Sequence, residues 1–444
     1  MNEFSIVDNG SALFEKASGC VLHRNPASGK VKLLPLGRWK GVLQQEDLPI
    51  QYITISDHLD MVGVQLCATA TQTRQVNGNK LQEKVKNMIG PWRGGKFMPL
   101  TQRSFSSNTY CSSKLWFRSA SINLRESDLK EINSQIKSWI FADQLESPEE
   151  CVLYRPRNKG GLGLINVKYK ALAELTRSFL ETALSMSFKR NILHSALYQW
   201  NVLLNHEIPY PGNHPFLTEE VFSVIREVKE EGLLNLSSMK SGTWYKVILE
   251  NKVLMQIDEN GRSKLRPCRT EVNNPEADWE SIWKLANIQG LDSAGQTFLW
   301  RMVHNLLPTQ ARLFRLKMRN APTHNCHLCE AIEPADNIHS LLTCSFNSEV
   351  SRWLMTLLHV HLPDVQPKQV VLLDLGAVDE SLELPLVWLI ANTLSLVWES
   401  RREKKKPTLH KVRSTLEAKI NILRKTRFKN ATALLVAFPI FSLT

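Results

Sequence analysis

The sequence predicts a mostly helical α+β protein, and three observations favour this fold class. Short apolar or alternating runs, namely KVKLLPLG, QYITI and MVGVQL, lie between Gly, Pro and Asp within the first 70 residues and indicate β-strands. From about Leu81 the apolar residues recur with the period of an α-helix. The 444 residues are 43% hydrophobic and 22% charged, which are ordinary values for a globular chain with a sizeable core.

The helical part begins with three amphipathic stretches. Leu81, Val85, Met88 and Ile89 share one helical face, and SSKLWFRSASINL fits a second helix. A third helix carries a longer apolar stripe, formed by Leu129, Ile132, Ile136, Trp139 and Ile140. After a break at ESPEE, the run KALAELTRSFLETALSMSF indicates a further helix.

A glycine-rich loop, LYRPRNKGGLGLINV, precedes this further helix. Gly160, Gly161 and Gly163 are not followed by the Lys-Ser/Thr pair of a phosphate-binding loop, and no βαβ pattern surrounds them. The glycines therefore predict a tight structural turn.

The chain becomes helical again at Asp278, after a stretch from 205 to 277 in which we find little regular pattern. The predicted helices are DWESIWKLA, GQTFLWRMVHNLL, TQARLFRLKM, EVSRWLMTLLHVHL, ELPLVWLIANTLSLVWESRR and TLHKVRSTLEAKINILRKTR. We find no run approaching the roughly 18 apolar residues of a membrane helix, so no membrane span is expected.

A cysteine and histidine cluster, NCHLCEAIEPADNIHSLLTC, is the sharpest chemical signal. Cys326 and Cys329 have the C-x2-C spacing with which two thiolates chelate one ion from a tight turn, and His339 and Cys344 follow downstream. Four protein ligands leave no position for a reactive water, so the cluster predicts a structural Zn²⁺ site that helps residues 320–350 to fold.

Two alternatives to this ligand set stay open. His324 and His327 rival His339 as the fourth ligand, although both crowd the C-x2-C turn. In the second alternative no metal binds, and the cluster is three buried cysteines beside a surface histidine. The remaining five of the eight cysteines are scattered, which favours a reducing compartment, the cytosol or the nucleus.

Positive charge is concentrated near the C-terminus. Between Arg401 and Lys429 the chain has twelve Lys and Arg residues and two acidic residues, so this segment carries +10 of the net charge of +12. A localised basic segment is typical of contact with phosphate backbones, although a solvated helix face or a nuclear-import signal has the same composition. The candidate contact residues here are Arg401, Arg402, Lys404, Lys405, Lys406, Arg424, Lys425 and Arg427.

A second candidate for nucleic-acid contact interleaves aromatic and basic residues. Arg93 follows Trp92, and Lys114 and Arg118 flank Trp116. This pattern suits base stacking combined with phosphate contact, whereas core packing is the simpler interpretation of Trp116.

Three separated stretches resemble the non-LTR (LINE-type) retrotransposon reverse transcriptases. FEKASGCVLHRNPASGKVKLLPLGRW with DMVGVQL is similar to the part of the palm after the catalytic hairpin. SSKLWFRSASINL with LYRPRNKGGLGLINVKYKALAEL is similar to the thumb and the segment beyond it. FLWRMVHNLLPTQARL, leading into the Cys/His cluster, is similar to the C-terminal zinc-binding domain, whose ligands match Cys326, Cys329, His339 and Cys344.

The resemblance implies five segments: a partial palm over 1–70, thumb-like helices over 71–145, a helical connector over 146–277, a zinc-binding domain over 278–363 and a helical basic region over 364–444. In this family the catalytic aspartates lie upstream of the segment matching Ser18, where only Glu3, Asp8 and Glu15 occur here. We therefore expect the C-terminal portion of a polyprotein, without polymerase activity of its own and without catalytic Mg²⁺.

The hexapeptide WIFADQ tests this expectation. Phe141-Ala142-Asp143-Gln144 differs in one position from the apolar-Ala-Asp-Asp signature of the family, but it follows the Ser-Gly segment instead of preceding it. It continues the helical stripe of Trp139 and Ile140, so we assign it to the end of a helix. Asp57 and Asp60 also lack a second carboxylate at a useful spacing, which disfavours an intact enzyme.

The leading hypothesis is thus a reverse-transcriptase-related protein that binds RNA or DNA inside the cell, with an upstream polyprotein portion as a further partner. A membrane or small-molecule substrate is not expected. The alternative is a zinc-stabilised interaction or scaffold protein with no nucleic-acid partner, whose apolar end NATALLVAFPIFSLT docks another protein.

Overall fold

A computed structural model gives the fold of the chain. It describes residues 31–35, 41–48, 53–61, 63–92, 98–141, 148–184, 221, 223–225, 239–257, 259, 262–288, 291–319, 321–334, 336–425 and 436–438.

The described part is mostly helical, with three small two-stranded sheets. The strands are β1 Val31–Leu33, β2 Ile53–Ile55, β3 His58–Met61, β4 Val64–Cys67, β5 Met255–Ile257 and β6 Ser263–Leu265. The α-helices are α1 Ala70–Ile89, α2 Leu100–Ser106, α3 Ser113–Ser121, α4 Glu126–Ile140, α5 Glu150–Tyr154, α6 Val167–Leu184, α7 Ser241–Leu249, α8 Arg269–Asn273, α9 Trp279–Ala286, α10 Ser293–Val303, α11 Gln310–Arg315, α12 Ser348–His359, α13 Pro367–Leu372, α14 Glu380–Arg402 and α15 Leu409–Lys425.

The chain forms two compact units that alternate along the sequence. The first comprises residues 1–92, 110–136 and 166–248, and the second comprises 93–109, 137–165 and 249–444. The five segments expected from the sequence are consecutive, whereas these two units are interleaved. The boundaries of the five segments stay predictions.

The first unit combines the N-terminal strands with helices α1, α3, α6 and α7 and the first part of α4. β1 pairs with β2 in parallel, and β3 pairs with β4 in an antiparallel hairpin. Buried Asn77 on α1 holds this hairpin, because its side chain accepts from the Gln65 backbone N–H at 3.0 Å and donates to the Gln65 carbonyl at 2.7 Å. α3 packs along α6, and Trp244 of α7 lies fully buried against Ala173 and Leu180 of α6.

The second unit is centred on α14. This helix packs against α9, α10, α12 and α15, and its members from Leu386 to Leu394 are buried. Side-chain caps start the neighbouring helices: Asp278 accepts from Ser281 N–H at the start of α9, and Asp292 accepts from Gly295 N–H at the start of α10. These caps explain why the helical pattern resumes where the sequence predicts it.

α14 is also the described helix that is long and apolar enough to cross a membrane. Its most apolar 18-residue window is 67% buried inside the structure, which is the burial of a core helix. Length and composition alone do not separate these two environments.

The glycine-rich loop forms the predicted tight turn in the second unit. Gly160 has φ +81°, and its carbonyl accepts hydrogen bonds from Trp300 Nε1 at 3.0 Å and His304 Nε2 at 2.6 Å. Arg155 is fully buried below the turn and donates to Glu271 Oε1 at 2.8 Å and to the Arg266 carbonyl. The loop is therefore a packed structural element.

The sequence-based fold class is confirmed at the level of a mostly helical α+β chain, with corrections in detail. α1 begins at Ala70 behind the N-cap Thr69, eleven residues before the apolar stripe becomes visible at Leu81. The connector was expected to be helical, but it contains the β5–β6 hairpin. Strands of three residues are too short to produce a recognisable period.

Replacing Gly160 with Ala tests the packing of the turn. The positive φ disfavours any Cβ, and a Cβ at this position would meet the Trp283 ring at 2.6 Å. We expect Gly160→Ala to lower the free energy of unfolding by about 3 kcal/mol in urea titrations. Gly376→Ala is the matched control, because Gly376 has φ +70° with nothing within 4 Å and should lose only about 1 kcal/mol. Equal losses would show that the Trp283 contact is unimportant.

Buried His304 predicts a pH dependence of stability. Burial lowers the pKa of His304 from its ordinary 6.5 to about 4. The unfolded chain binds a proton first as the pH falls, so His304 stabilises the fold fully above pH 6.5 and loses about 3 kcal/mol between pH 6.5 and 4. We expect the stability difference between the wild type and His304→Gln to shrink by this amount over that range in urea titrations. A difference independent of pH would contradict the assignment.

Candidate metal centre and nucleic-acid interface

Cys326 and Cys329 lie on a tight knuckle in the second unit. An antiparallel bridge pairs Asn325 with Ile332, and the Cys326 N–H donates to the Ala331 carbonyl at 2.8 Å. The Cys326 carbonyl accepts from the Glu330 N–H at 2.8 Å, and Glu330 reverses the chain with φ +62°. This backbone turn brings the two sulfur atoms to the same side.

His339 and Cys344 lie at the two ends of a short π-helical turn, His339–Thr343. The Cys344 N–H donates to the His339 carbonyl at 2.9 Å, which fixes the spacing of the two side chains. Asn337 anchors the start of this turn by donating to the Met302 carbonyl at 2.9 Å. Asn347 anchors its far side by donating to the Leu341 carbonyl at 2.6 Å.

The four predicted ligands converge. Their ligand atoms all lie within 4.8 Å of one another. The sulfur atoms of Cys326 and Cys344 are 3.9 Å apart, and Cys329 Sγ is 3.4 Å from His339 Nε2. A tetrahedral zinc site with bonds near 2.0–2.3 Å places its ligand atoms about 3.5–3.8 Å apart. The cluster therefore has the donor set and the size to hold one metal ion.

The structure selects His339 over its two rivals. His324 and His327 are exposed and lie outside the group of converging ligands. His324 instead lies against Phe314, with ring centroids 5.7 Å apart. Cys326 and Cys344 are buried, whereas Cys329 is half-buried, so the centre has one side near solvent.

The two buried thiols of the cluster differ in pKa because their surroundings differ. Burial opposes ionisation of Cys326, but hydrogen bonds from the Leu328 N–H, Arg401 and His339 outweigh it and lower the pKa of Cys326 to about 6. Burial raises the pKa of Cys344 to about 11. The thiolate is the form that binds a metal ion, so the hydrogen bonds to Cys326 favour its role as a ligand.

Arg401 belongs to this centre and not to an exposed interface. Its side chain is 3% exposed, and Nη2 lies 3.4 Å from Cys326 Sγ and 3.1 Å from Glu333 Oε1. A phosphate cannot reach a guanidinium in this position. Arg401 is therefore not among the exposed candidates for nucleic-acid contact.

Six other predicted cations are exposed and form what we term the basic surface. They are Arg402, Lys404, Lys405, Lys406, Arg424 and Lys425. The first four lie at the end of α14, and the last two lie at the end of α15, which spans about 24 Å at 1.5 Å per residue. Lys411, on α15 between the two groups, is also exposed and is an addition that the charge count did not single out.

The predicted contacts of the first unit differ in availability. Lys114 is exposed, whereas Arg118 donates to the Gly63 carbonyl at 2.8 Å. Trp116 is half-buried, and the ammonium of Lys170 lies 5.5 Å from its ring centroid. Arg118 and Trp116 are thus engaged within the chain, while Lys114 is free to meet solvent. Arg93 and Arg427 lie outside the described residues.

The acidic residues considered for catalysis are partly described. The His58 ring contacts both aspartates, with Nδ1 2.6 Å from Asp57 and Nε2 3.5 Å from Asp60. Both carboxylates are largely exposed. Phe141 follows the last residue of α4, as the helical interpretation of WIFADQ predicts, whereas Asp143 lies outside the described residues.

A polar cleft of about 630 Å³ in the second unit was not predicted. Its charged lining includes Glu149, Arg269, Arg312, Arg315, Asp336 and Lys368. Several of these groups have partners: Arg312 donates to the Asn305 carbonyl, and Lys368 lies 3.3 Å from Glu276. The mixture of both charge signs does not identify a ligand class.

No protein-family model matches this chain, and no match was found among curated proteins.

Metal titration tests the cluster directly. We expect the purified protein to bind one Zn²⁺ or Co²⁺ per chain, and the Co²⁺ form to show the absorption of a tetrahedral thiolate site, because four ligands converge. Cys329→Ser should lose this binding, since it removes one thiolate from the half-buried side of the cluster.

Cys67→Ser is the matched control for this titration. Cys67 is likewise half-buried but is not part of the cluster, so its variant should bind like the wild type. Equal binding by the wild type and Cys329→Ser would exclude the proposed ligand set.

Proposed function

We propose that this chain is a nucleic-acid-binding protein in which a structural Zn²⁺ ion, held by Cys326, Cys329, His339 and Cys344, stabilises the C-terminal part. The observation that carries the proposal is the position of the basic surface. Its first four cations follow directly after Arg401, the residue that contacts the metal ligands. The metal centre would fix the end of α14, from which these cations extend.

The charge distribution supports phosphate as the ligand. Among the described residues of the basic surface, one close ion pair is found, between Lys405 and Glu403 at 3.4 Å, and both side chains are well exposed. Exposed pairs of this kind stabilise by less than about 1 kcal/mol, so they do not neutralise the surface. A polyanion that replaces its counterions with these side chains gains favourable free energy from ion release.

We further propose that the chain is related to the non-LTR retrotransposon reverse transcriptases. The support is the resemblance of its three stretches, together with a donor set of three cysteines and one histidine. The proposal covers binding of RNA or DNA within the cell and does not include catalysis. A zinc-stabilised scaffold without a nucleic-acid partner is the alternative, and the binding experiment below separates the two.

The salt dependence of binding tests the basic surface. We expect the wild-type chain to bind a fluorescent single-stranded RNA or DNA in anisotropy titrations between 50 and 200 mM salt. The triple variant Lys404→Gln/Lys405→Gln/Lys406→Gln should lower the slope of log K against log salt by about 2, because each lost phosphate contact contributes about 0.7. Its affinity at 100 mM salt should fall roughly tenfold.

A matched triple variant removes the same charge elsewhere. Lys159, Lys252 and Lys264 are exposed residues of the second unit that do not belong to the basic surface, so their replacement with Gln should change neither the slope nor the affinity by as much. Equal effects of both triple variants would indicate only a net-charge effect. Failure of the wild type to bind at 50 mM salt would favour the scaffold alternative.

A further inference from the structure

Arg401 is the last buried residue of α14, and its guanidinium lies beside the metal centre. Nη2 is 3.4 Å from Cys326 Sγ, a distance at which an N–H donates to sulfur. The same nitrogen is 3.1 Å from Glu333 Oε1. Arg401 lies 75 residues from Cys326 in sequence, so this contact joins two remote parts of the second unit.

Glu333 connects the guanidinium to the knuckle. Its side chain is completely buried, and its second oxygen accepts from the Ala311 N–H at 3.1 Å in the first turn of α11. Its own N–H donates to the His324 carbonyl at 3.2 Å, two residues before Cys326. Arg401 and Glu333 therefore hold α11, α14 and the knuckle together around the cluster.

The charges of the centre call for a cation in this place. Three thiolates and a neutral imidazole around one divalent ion leave a net charge of −1, and buried Glu333 adds another. A negative cluster inside a protein is costly unless a counter-charge with hydrogen bonds accompanies it. Within the described residues, Arg401 is the buried cation that contacts both Cys326 and Glu333.

We infer that Arg401 is a positioning residue of the metal centre, which orients the Cys326 sulfur through an N–H···S hydrogen bond and couples the bound metal to the end of α14. The inference rests on the proposed metal centre and adds a residue to it. Outer partners of this kind tune metal affinity because they orient a ligand and set its electron density. The coupling also fixes the start of the basic surface.

Co²⁺ titration of the full-length chain tests the role of Arg401. Arg401→Met alone leaves Glu333 buried and unpaired, so the informative variant is Arg401→Met/Glu333→Gln, which removes both charges. We expect this double variant to bind Co²⁺ 10- to 100-fold more weakly. The thiolate-to-cobalt charge-transfer band should move to lower energy, because the sulfur loses a hydrogen bond that stabilises its lone pairs.

Three further variants separate positioning from general packing. Glu333→Gln keeps the Arg401 contact with sulfur, so its cobalt band should match the wild type. Arg401→Lys should restore affinity in part, since it supplies a single ammonium donor. Arg402→Met is the control, because Arg402 is the exposed neighbour on the same helix turn and should change neither affinity nor band.

Amide hydrogen exchange at saturating Co²⁺ tests the coupling to α14. Exchange in the last turn of α14 should rise in the double variant and stay low in the wild type. A double variant with wild-type affinity, band energy and exchange would overturn the role of Arg401 while leaving the metal centre intact. Absence of Co²⁺ binding by the wild type would overturn the centre itself and the role of Arg401 with it.

Discussion

The convergence of three sulfur atoms and one imidazole within 4.8 Å is the constraint that joins the knuckle around Cys326 to the His339–Thr343 turn. Thiols at this separation gain little from one another, and burial of Cys344 raises its pKa to about 11. A divalent ion favours the deprotonated thiols, because it binds the thiolates and its charge offsets the repulsion between them. The knuckle around Cys326, the His339–Thr343 turn and the end of α14 then share one fixed point.

The sequence predicted the ligands because chelation imposes a local pattern. Two thiolates on one turn require a C-x2-C spacing, and this spacing is visible without any knowledge of the fold. The same holds for the turn at Gly160, where the clustered glycines indicate a tight backbone. The sequence could not predict the partner of that turn, since Trp283 comes from a helix more than a hundred residues away.

Arg401 shows the limit of reasoning from charge. Counting basic residues treats every cation as exposed. At the end of α14, however, Arg401 is buried and the adjacent Arg402 is exposed. Glu333, which pairs with Arg401, carries no motif and was not a candidate. The β5–β6 hairpin was missed for a different reason, because its strands are only three residues long. Long amphipathic helices such as α4 were predicted, since their apolar stripe repeats over several turns.

The end of α14 explains how one segment supplies both a buried and an exposed set of cations. Lys404 takes a left-handed conformation with φ +55°, its N–H donates to the Arg401 carbonyl at 3.1 Å, and the Lys405 N–H donates to the Ser400 carbonyl at 3.0 Å. This pair of hydrogen bonds is the Schellman motif, which ends a helix and turns the chain away from its axis. A lysine in that conformation costs roughly 1 kcal/mol compared with glycine, so the rest of the structure must hold it there. Arg401, one turn before, is buried against Glu333, whereas Lys404, Lys405 and Lys406 beyond the turn are exposed.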